Sequence, residues 1–309
     1  MAIQILSTGL QTTVQDLGRL GKRHIGIPQS GAFDYLSAAK ANAILGKSIN
    51  SPVFECTMTG PTIKFLKDMQ ICVTGARVSE LKIDDSLVTQ DELLDLKKGN
   101  IFSMSHAEEN LRFYVGFSED IKAKEFLGSV STYLPAKLGG LNGEVIQKDQ
   151  MIDFKKTAVE EYVSTPSFQV KGTFNTSIIR VVAGPEFNLL NMRANELGEN
   201  DYIISNESNR MGIRTAGKKM QIDDGGSMIS KPIYPGMVQC PENGLPIILG
   251  ADAQTLGGYP RILQVIKADR HLLGQLKPND RFRFNLISIA EAIDEWNTLK
   301  KANPFICEL

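Results

Sequence analysis

Leu111-Arg112-Phe113-Tyr114-Val115-Gly116-Phe117 crowds aromatic and β-branched residues into one short run. Such side chains suit a pleated, half-buried surface and lose χ1 freedom in a helix. The same texture recurs at Ile3 to Leu6, Val53 to Cys56, Gln70 to Val73, Ser177 to Ala183, Pro246 to Leu249 and Arg261 to Ile266. Gly, Pro, Asn or Asp break these runs apart, as they do where strands meet tight connections. The chain is therefore expected to be mainly β.

Helices are few. Ala38, Ala39, Ala41, Ala43 and Leu45 favour a helix over Phe33 to Leu45, with Ser30 or Asp34 as its cap and Gly46 at its end. A short helix is expected after Asp269, running through Leu276, with Asp269 as its N-cap. Ser288 and Glu291 form a capping box ahead of Ala292, Ile293, Trp296 and Leu299, so the spacing predicts a C-terminal helix that lays Trp296 on a barrel surface. Between about Gln147 and Gly172 polar residues dominate and Thr165-Pro166-Ser167 marks a break. Two domains are expected, 1–165 and 166–309, both β-rich. Strand and helix units do not alternate, which argues against a doubly wound α/β enzyme.

A hydrophobic fraction of 42% and a charged fraction of 22% exclude a disordered chain, and a net charge of −1 gives no basic surplus for nucleic acid. No run of about 18 apolar residues could span a membrane, and Met1 to Leu10 lacks the basic and apolar regions of a signal peptide, so a cytoplasmic location is expected. Cys56, Cys72, Cys240 and Cys307 form no CxxC pair, and His24, His106 and His271 no ligand cluster, so neither disulfide nor metal is expected on this chain. No GxxxxGK[ST] phosphate loop is present.

Four glycine-rich segments carry polar side chains that a core does not need. The first runs from Gly9 through Gln15, Asp16 and Arg19 to Ser30, Gly31 and Asp34; its glycines allow close approach of backbone N–H groups, and Ser30 to Asp34 opens a helix whose N-terminus favours an anion. The alternative is a tightly wound connection with Asp16 and Arg19 paired. In the second, Ser129, Ser131, Thr132 and Tyr133 lie close to Gly139-Gly140, either to bond a polar ligand or as hairpin turns with a hydroxyl ladder. The third, Ser205 to Arg214, offers the Arg210 guanidinium as a fork for carboxylate, carbamate or phosphate with Asn209 beside it, unless a carboxylate elsewhere in the chain occupies that fork. In the fourth, Gln239 and Gln254 suit a ureido or lactam group, Asp252 can orient or deprotonate, and Tyr259 follows Gly257-Gly258. Cys240 reads as a buried thiol rather than a nucleophile, since no His is near it in sequence.

These segments are also where the chain resembles a known family. Gln11 to Arg19, Ser30-Gly31-Ala32, Glu55 with Gly60-Pro61, Thr74-Gly75-Ala76, Ser131-Thr132-Tyr133, Gly184-Pro185-Glu186, Ser208 to Gly212 and Gly257 to Pro260 are similar, in order, to hallmarks of the biotin-dependent carboxyltransferase family. That family includes allophanate hydrolase subunit 2, the C-subunit type of 5-oxoprolinase and an antagonist of a sporulation-kinase inhibitor. The resemblance implies β-barrel domains, one of them cyclophilin-like, and a partner of the 5-oxoprolinase B-subunit or allophanate hydrolase subunit 1 type. For the 5-oxoprolinase type it implies ATP-dependent opening of 5-oxoproline to glutamate by three subunits. ATP then acts at the level of the complex. No Ala-Met-Lys-Met-like segment is present, so any biotin arrives on another chain. Gly143-Glu144, Leu256 and Cys240 depart from the pattern, the first exchanging an expected arginine for an anion.

The leading expectation is an enzyme subunit in which Arg210 and Asp252 act catalytically. Ser131, Thr132, Tyr133, Asn209, Gln239, Gln254 and Tyr259 are expected to bind substrate, and Gln15, Asp16, Arg19, Ser30 and Gly31 to form an anion-binding loop. The competing reading is a binding module that sequesters a kinase inhibitor through the same surface, or a carboxyltransferase subunit for urea or allophanate. Prolyl isomerase activity lacks its side-chain constellation.

Overall fold

The computed structural model describes residues 1–156, 178–191, 194–223 and 227–307. These form two compact units. The first holds 1–19, 30–156 and 305–307; the second holds 20–29 and 178–304. The units are thus not two contiguous halves: residues 20–29 pack with the second unit and 305–307 with the first. The expected division at 165/166 lies outside the described residues.

In the first unit, six strands pair in the spatial order 151–152, 3–7, 62–65, 101–104, 81–83, 86–88, and five more in the order 11–15, 53–57, 107–117, 69–78, 94–96. The run quoted at the start lies in Ala107–Phe117, the central strand of the five. Its side chains alternate between two faces. Phe113, Val115 and Phe117 join Ile3, Phe54, Ile71 and Phe102 in one apolar core. Arg112 and Tyr114 take the other face, together with Glu55 on the paired strand.

Helix α1 (Tyr35–Ile44) packs on that polar face. Asp34 caps it, its Oδ1 accepting from Ser37 N at 3.0 Å and its Oδ2 from Ser37 Oγ at 2.6 Å. Ser30, the other cap candidate, instead takes a left-handed backbone with φ 56°. Its stretch Leu36 to Asn42 is buried, and the alanines at 38, 39 and 41 let it lie close against the sheet.

The second unit is a closed barrel of seven strands, ordered 178–183, 261–265, 237–239, 247–249, 212–217, 202–204, 281–286 and back to the first. The closing pair is parallel, Ile179 opposite Phe284. Closure removes the unpaired edges that an open sheet exposes. Strict alternation fills the interior, as in 281–286, where Phe282 and Phe284 are buried and Arg281 and Arg283 exposed. Tyr202 stacks among them, 5.0 Å from the Phe284 ring centroid.

Helix α2 (Ala194–Glu199) is short. Helix α3 (Ile289–Ala302) has the expected capping box on Ser288, and Trp296 lies under the Lys267 ammonium, 4.1 Å from its ring centroid. The helix expected after Asp269 is not formed. Two single 3-10 turns, Lys267–Asp269 and Leu272–Gln275, stand in its place. Asp269 caps nothing there because its carboxylate is taken by Arg180, through the backbone N at 2.8 Å and Nε at 3.0 Å. No helix among the described residues is long and apolar enough to cross a membrane.

Candidate functional site

In the first unit the sequence-derived residues collect around Asp16. Its Oδ1 accepts from Gly18 N at 2.8 Å, Ser129 Oγ at 2.6 Å and Ser131 Oγ at 2.5 Å, and its Oδ2 from Val130 N at 2.8 Å. The carboxylate is buried, and four donors in place of water are what make that burial tolerable. Arg19, buried beside it, donates from Nε to Phe126 O at 3.2 Å and from Nη2 to Ser131 O. Its guanidinium also lies 5.6 Å from the Phe126 ring centroid. Thr132 Oγ1 donates to Val14 O at 2.9 Å, while Gln15 Nε2 reaches Thr13 Oγ1 at 3.0 Å and Thr132 O at 3.2 Å. Tyr133, half-buried, pairs by its backbone with Leu138.

The hydroxyls of the second segment therefore clamp the end of strand 11–15. Ser30 and Gly31 join the same knot, since Ala32 N donates to Asp16 O at 2.8 Å and Gly31 lies against the Leu17–Gly18 backbone. Beneath them Glu55 Oε2 accepts from Phe33 N at 2.7 Å and Tyr114 Oη at 2.8 Å, and Tyr114 Oη in turn accepts from Asp34 N at 2.7 Å. Arg112 completes this layer, 3.6 Å from Glu55 Oε1. Sequence reasoning quoted Glu55 only as a hallmark and missed Arg112 and Tyr114. Their period-two spacing in strand 107–117 was the available signal.

In the second unit Arg210 and Asp252 meet directly. Nε donates to Oδ2 at 2.8 Å and Nη2 to Oδ1 at 3.0 Å, and Asp252 N returns a bond to Arg210 O at 2.9 Å. Both residues are buried. The fork expected to read an external anion thus holds an internal one, and the carboxylate expected to act as a base is engaged by that fork. Gln239, also buried, donates from Nε2 to Tyr259 O at 3.1 Å. Gln254, Asn209 and Tyr259 expose their side chains, Asn209 with its Oδ1 on Met211 N at 2.8 Å.

Two arginines that sequence reasoning did not single out hold these loops. Arg23 donates to Ala253 O at 3.1 Å, Ile233 O at 2.7 Å and Gln254 O at 2.6 Å. Desolvation pulls its pKa below the usual arginine value. Arg261 forks onto Glu186, Nε to Oε2 at 2.8 Å and Nη2 to Oε1 at 2.7 Å, and this hydrogen bonding holds the Glu186 carboxyl down at about 2. Cys240 is buried in the same unit and its thiol is pushed up to about 11 by desolvation, far from a reactive thiolate. No cluster of three or more His, Cys, Asp or Glu able to hold a metal occurs among the described residues.

Comparison with known proteins adds lineage to this geometry. The carboxyltransferase domain model, subdomains A and B, matches residues 25–286. The C-subunit of Haemophilus influenzae 5-oxoprolinase is 32% identical over 291 residues, which cover 94% of this chain and 93% of that protein. The protein of the same name from Escherichia coli is 32% identical over 292 residues, with the same coverage of both. The crystal structure of K. lactis urea amidolyase superposes with a TM-score of 0.90 at 26% identity, covering 98% of this chain and 20% of that one.

Proposed function

The chain belongs to the carboxyltransferase domain family, subdomains A and B, and on that footing we propose that it is one subunit of a heteromeric, ATP-dependent 5-oxoprolinase that opens 5-oxoproline to glutamate. One observation carries this reading: the similarity to the 5-oxoprolinase C-subunit runs end to end, 94% of this chain against 93% of the relative. A carboxyltransferase acting on urea or allophanate is the second reading, and the likeness to urea amidolyase supports it. There, however, the chain spans one fifth of a longer protein.

The chemistry explains why a single chain of this kind would need company. A lactam is a poor electrophile because its nitrogen lone pair is delocalised into the carbonyl, so ring opening at neutral pH needs ATP-derived activation. Among the described residues, the carboxylates that stand out in sequence are committed internally, Asp16 to its own loops and Asp252 to Arg210. In this reading Arg210, Asp252, Asp16 and Arg19 fix the loops, and Gln254, Asn209 and Tyr259 are left to face a substrate. ATP belongs to the assembly and any biotin to another chain. The partners are a B-subunit or allophanate hydrolase subunit 1-type protein and a third hydrolase subunit, all in the cytoplasm.

Co-expression with those partners, followed by an assay of ATP-dependent glutamate release from 5-oxoproline, tests the proposal. Release that needs this chain and ATP is the expected outcome. A stable complex that never turns over would count against it and favour a sequestering module.

A further inference from the structure

The first unit carries a groove of about 470 Å3, a volume suited to a small molecule, whose walls include Asn50, Asp120, Lys122, Glu125 and Lys155. Asp16, Ser129 and Val130 of the cluster described above line one side of it, but neither that cluster nor the sequence motifs account for Asp120, Lys122, Glu125 and Lys155. Asp120 and Lys155 stand directly opposite in an antiparallel pair, so their side chains leave the same face. Lys122 follows two residues on and shares that face, while Ile121 between them points into the core.

What distinguishes this wall from an ordinary surface ladder is Lys47. It is buried, and its ammonium sits behind Asp120, 2.8 Å from Oδ1 and 2.8 Å from Phe117 O. Desolvation pulls its pKa below the usual lysine value even so. A buried ammonium is costly to keep, and here it fixes one carboxylate at the groove wall. Lys155, across the ladder, makes no ion pair among the described residues, whereas Lys122 is taken by Asp153 at 2.9 Å. Asn50 Oδ1 accepts from Leu17 N at 2.9 Å, which leaves its Nδ2 as the donor on that side chain. The groove thus offers the Asp120 carboxylate fixed by Lys47, a Lys155 ammonium with no ion pair among the described residues, and the Asn50 amide N–H. Asp16, Asp120 and Glu125 together oppose a plain anion.

We propose that this groove binds a small molecule carrying both a carboxylate and an N–H donor, the chemistry common to a lactam acid and the amino acid formed by opening it. Lys155 takes the carboxylate, and Asp120, held by Lys47, accepts from the nitrogen. The location rests on the geometry, and the ligand class rests on the functional reading above.

Isothermal titration of the full chain with 5-oxoproline, glutamate and inorganic phosphate tests this. Saturable binding of one of the two organic ligands and none of phosphate is expected. Lys155→Gln should weaken it about tenfold, the loss of one charge-assisted bond. Asp120→Asn should do the same; because it also disturbs Lys47, a thermal melt accompanies it, and the exposed Lys155 carries the decision. Lys97→Gln, at a surface pair with Asp68 outside the groove, should change nothing. Absence of binding, equal binding of phosphate, or unchanged affinity in Lys155→Gln overturns the assignment. An assembled complex that turns over with the parental KM when Lys155 is replaced sinks the groove but leaves the 5-oxoprolinase reading standing. Specific binding without turnover does the reverse.

Discussion

Arg210→Ala should show first as a loss of stability in the barrel unit, before it reports on chemistry. The guanidinium makes two bonds to Asp252, and both partners are buried, with Asp252 3% exposed. Removing the cation strands a carboxylate with no water to replace it. Breaking a buried pair from one side costs about 3–5 kcal/mol. At roughly 2–4 °C per kcal/mol for a unit of about 150 residues, the melting temperature should fall by about 10 °C. Replacing both partners, as Arg210→Met with Asp252→Leu, should recover most of that loss, because a buried pair and an apolar pair of similar volume are close to neutral. The assay is circular-dichroism melting of Arg210→Ala beside a double-mutant cycle of the parent, Arg210→Met, Asp252→Leu and the pair, with an expected coupling of at least about 3 kcal/mol. An Arg210→Ala chain that melts with the parent would refute the reasoning. Arg210 would then be restored as a contact for an external anion, and its activity loss could be read directly.

Four other outcomes follow from single features. Tyr202→Phe should leave stability unchanged or raise it by up to about 1 kcal/mol in a urea melt, because the hydroxyl is buried with no partner among the described residues. Glu186, held down at about 2 by Arg261 against an ordinary 4.5, has a depressed folded-state pKa, so its stabilisation is complete above pH 4.5. That stabilisation should drain away as pH falls from 4.5 towards 2, by at most about 3 kcal/mol, and Glu186→Gln should flatten that limb of a stability–pH curve. Thiol labelling of the native chain should show one fast cysteine, the exposed Cys307, with Cys56, Cys72 and Cys240 reacting only on denaturation. Gly143→Ala should destabilise by about 2–4 kcal/mol, since its Cβ would fall 2.0 Å from Lys137 backbone carbon at a positive φ, while Gly128→Ala meets open space and should cost about 1 kcal/mol in the same melt.

What could be read from the sequence was what is decided locally. Strands 53–57 and 107–117 declare themselves because β-branched and aromatic residues choose a pleated surface within a few positions. The α3 capping box is equally local, Ser288 and Glu291 bonding each other three residues apart. The cap of α1 was not readable, because Ser30 and Asp34 are both good capping residues; Ser30 takes a left-handed backbone, and the next residue, Gly31, is pressed against the Leu17–Gly18 chain, a contact between distant parts of the sequence. The expected helix after Asp269 failed for the same reason, a partner at Arg180 that lies 89 residues away.

The candidate site was the least readable because its residues have two uses that look alike in sequence. Asp16 and Ser131 are 115 residues apart, and Arg210 and Asp252 are 42 apart, so no spacing rule could show that each pair closes on itself. Glycine adds to the ambiguity. Gly139 and Gly143 read as places where a backbone could approach a ligand, yet a Cβ at either would strike the chain's own backbone at Ser131 or Lys137. Those glycines admit the protein to itself. A polar, glycine-rich segment is evidence for a ligand only after its internal hydrogen bonds have been counted. By that count, among the described residues, Arg210, Asp252 and Asp16 are engaged within the chain, whereas Gln254, Asn209 and Tyr259 expose their side chains in one unit and Lys155 makes no ion pair in the other.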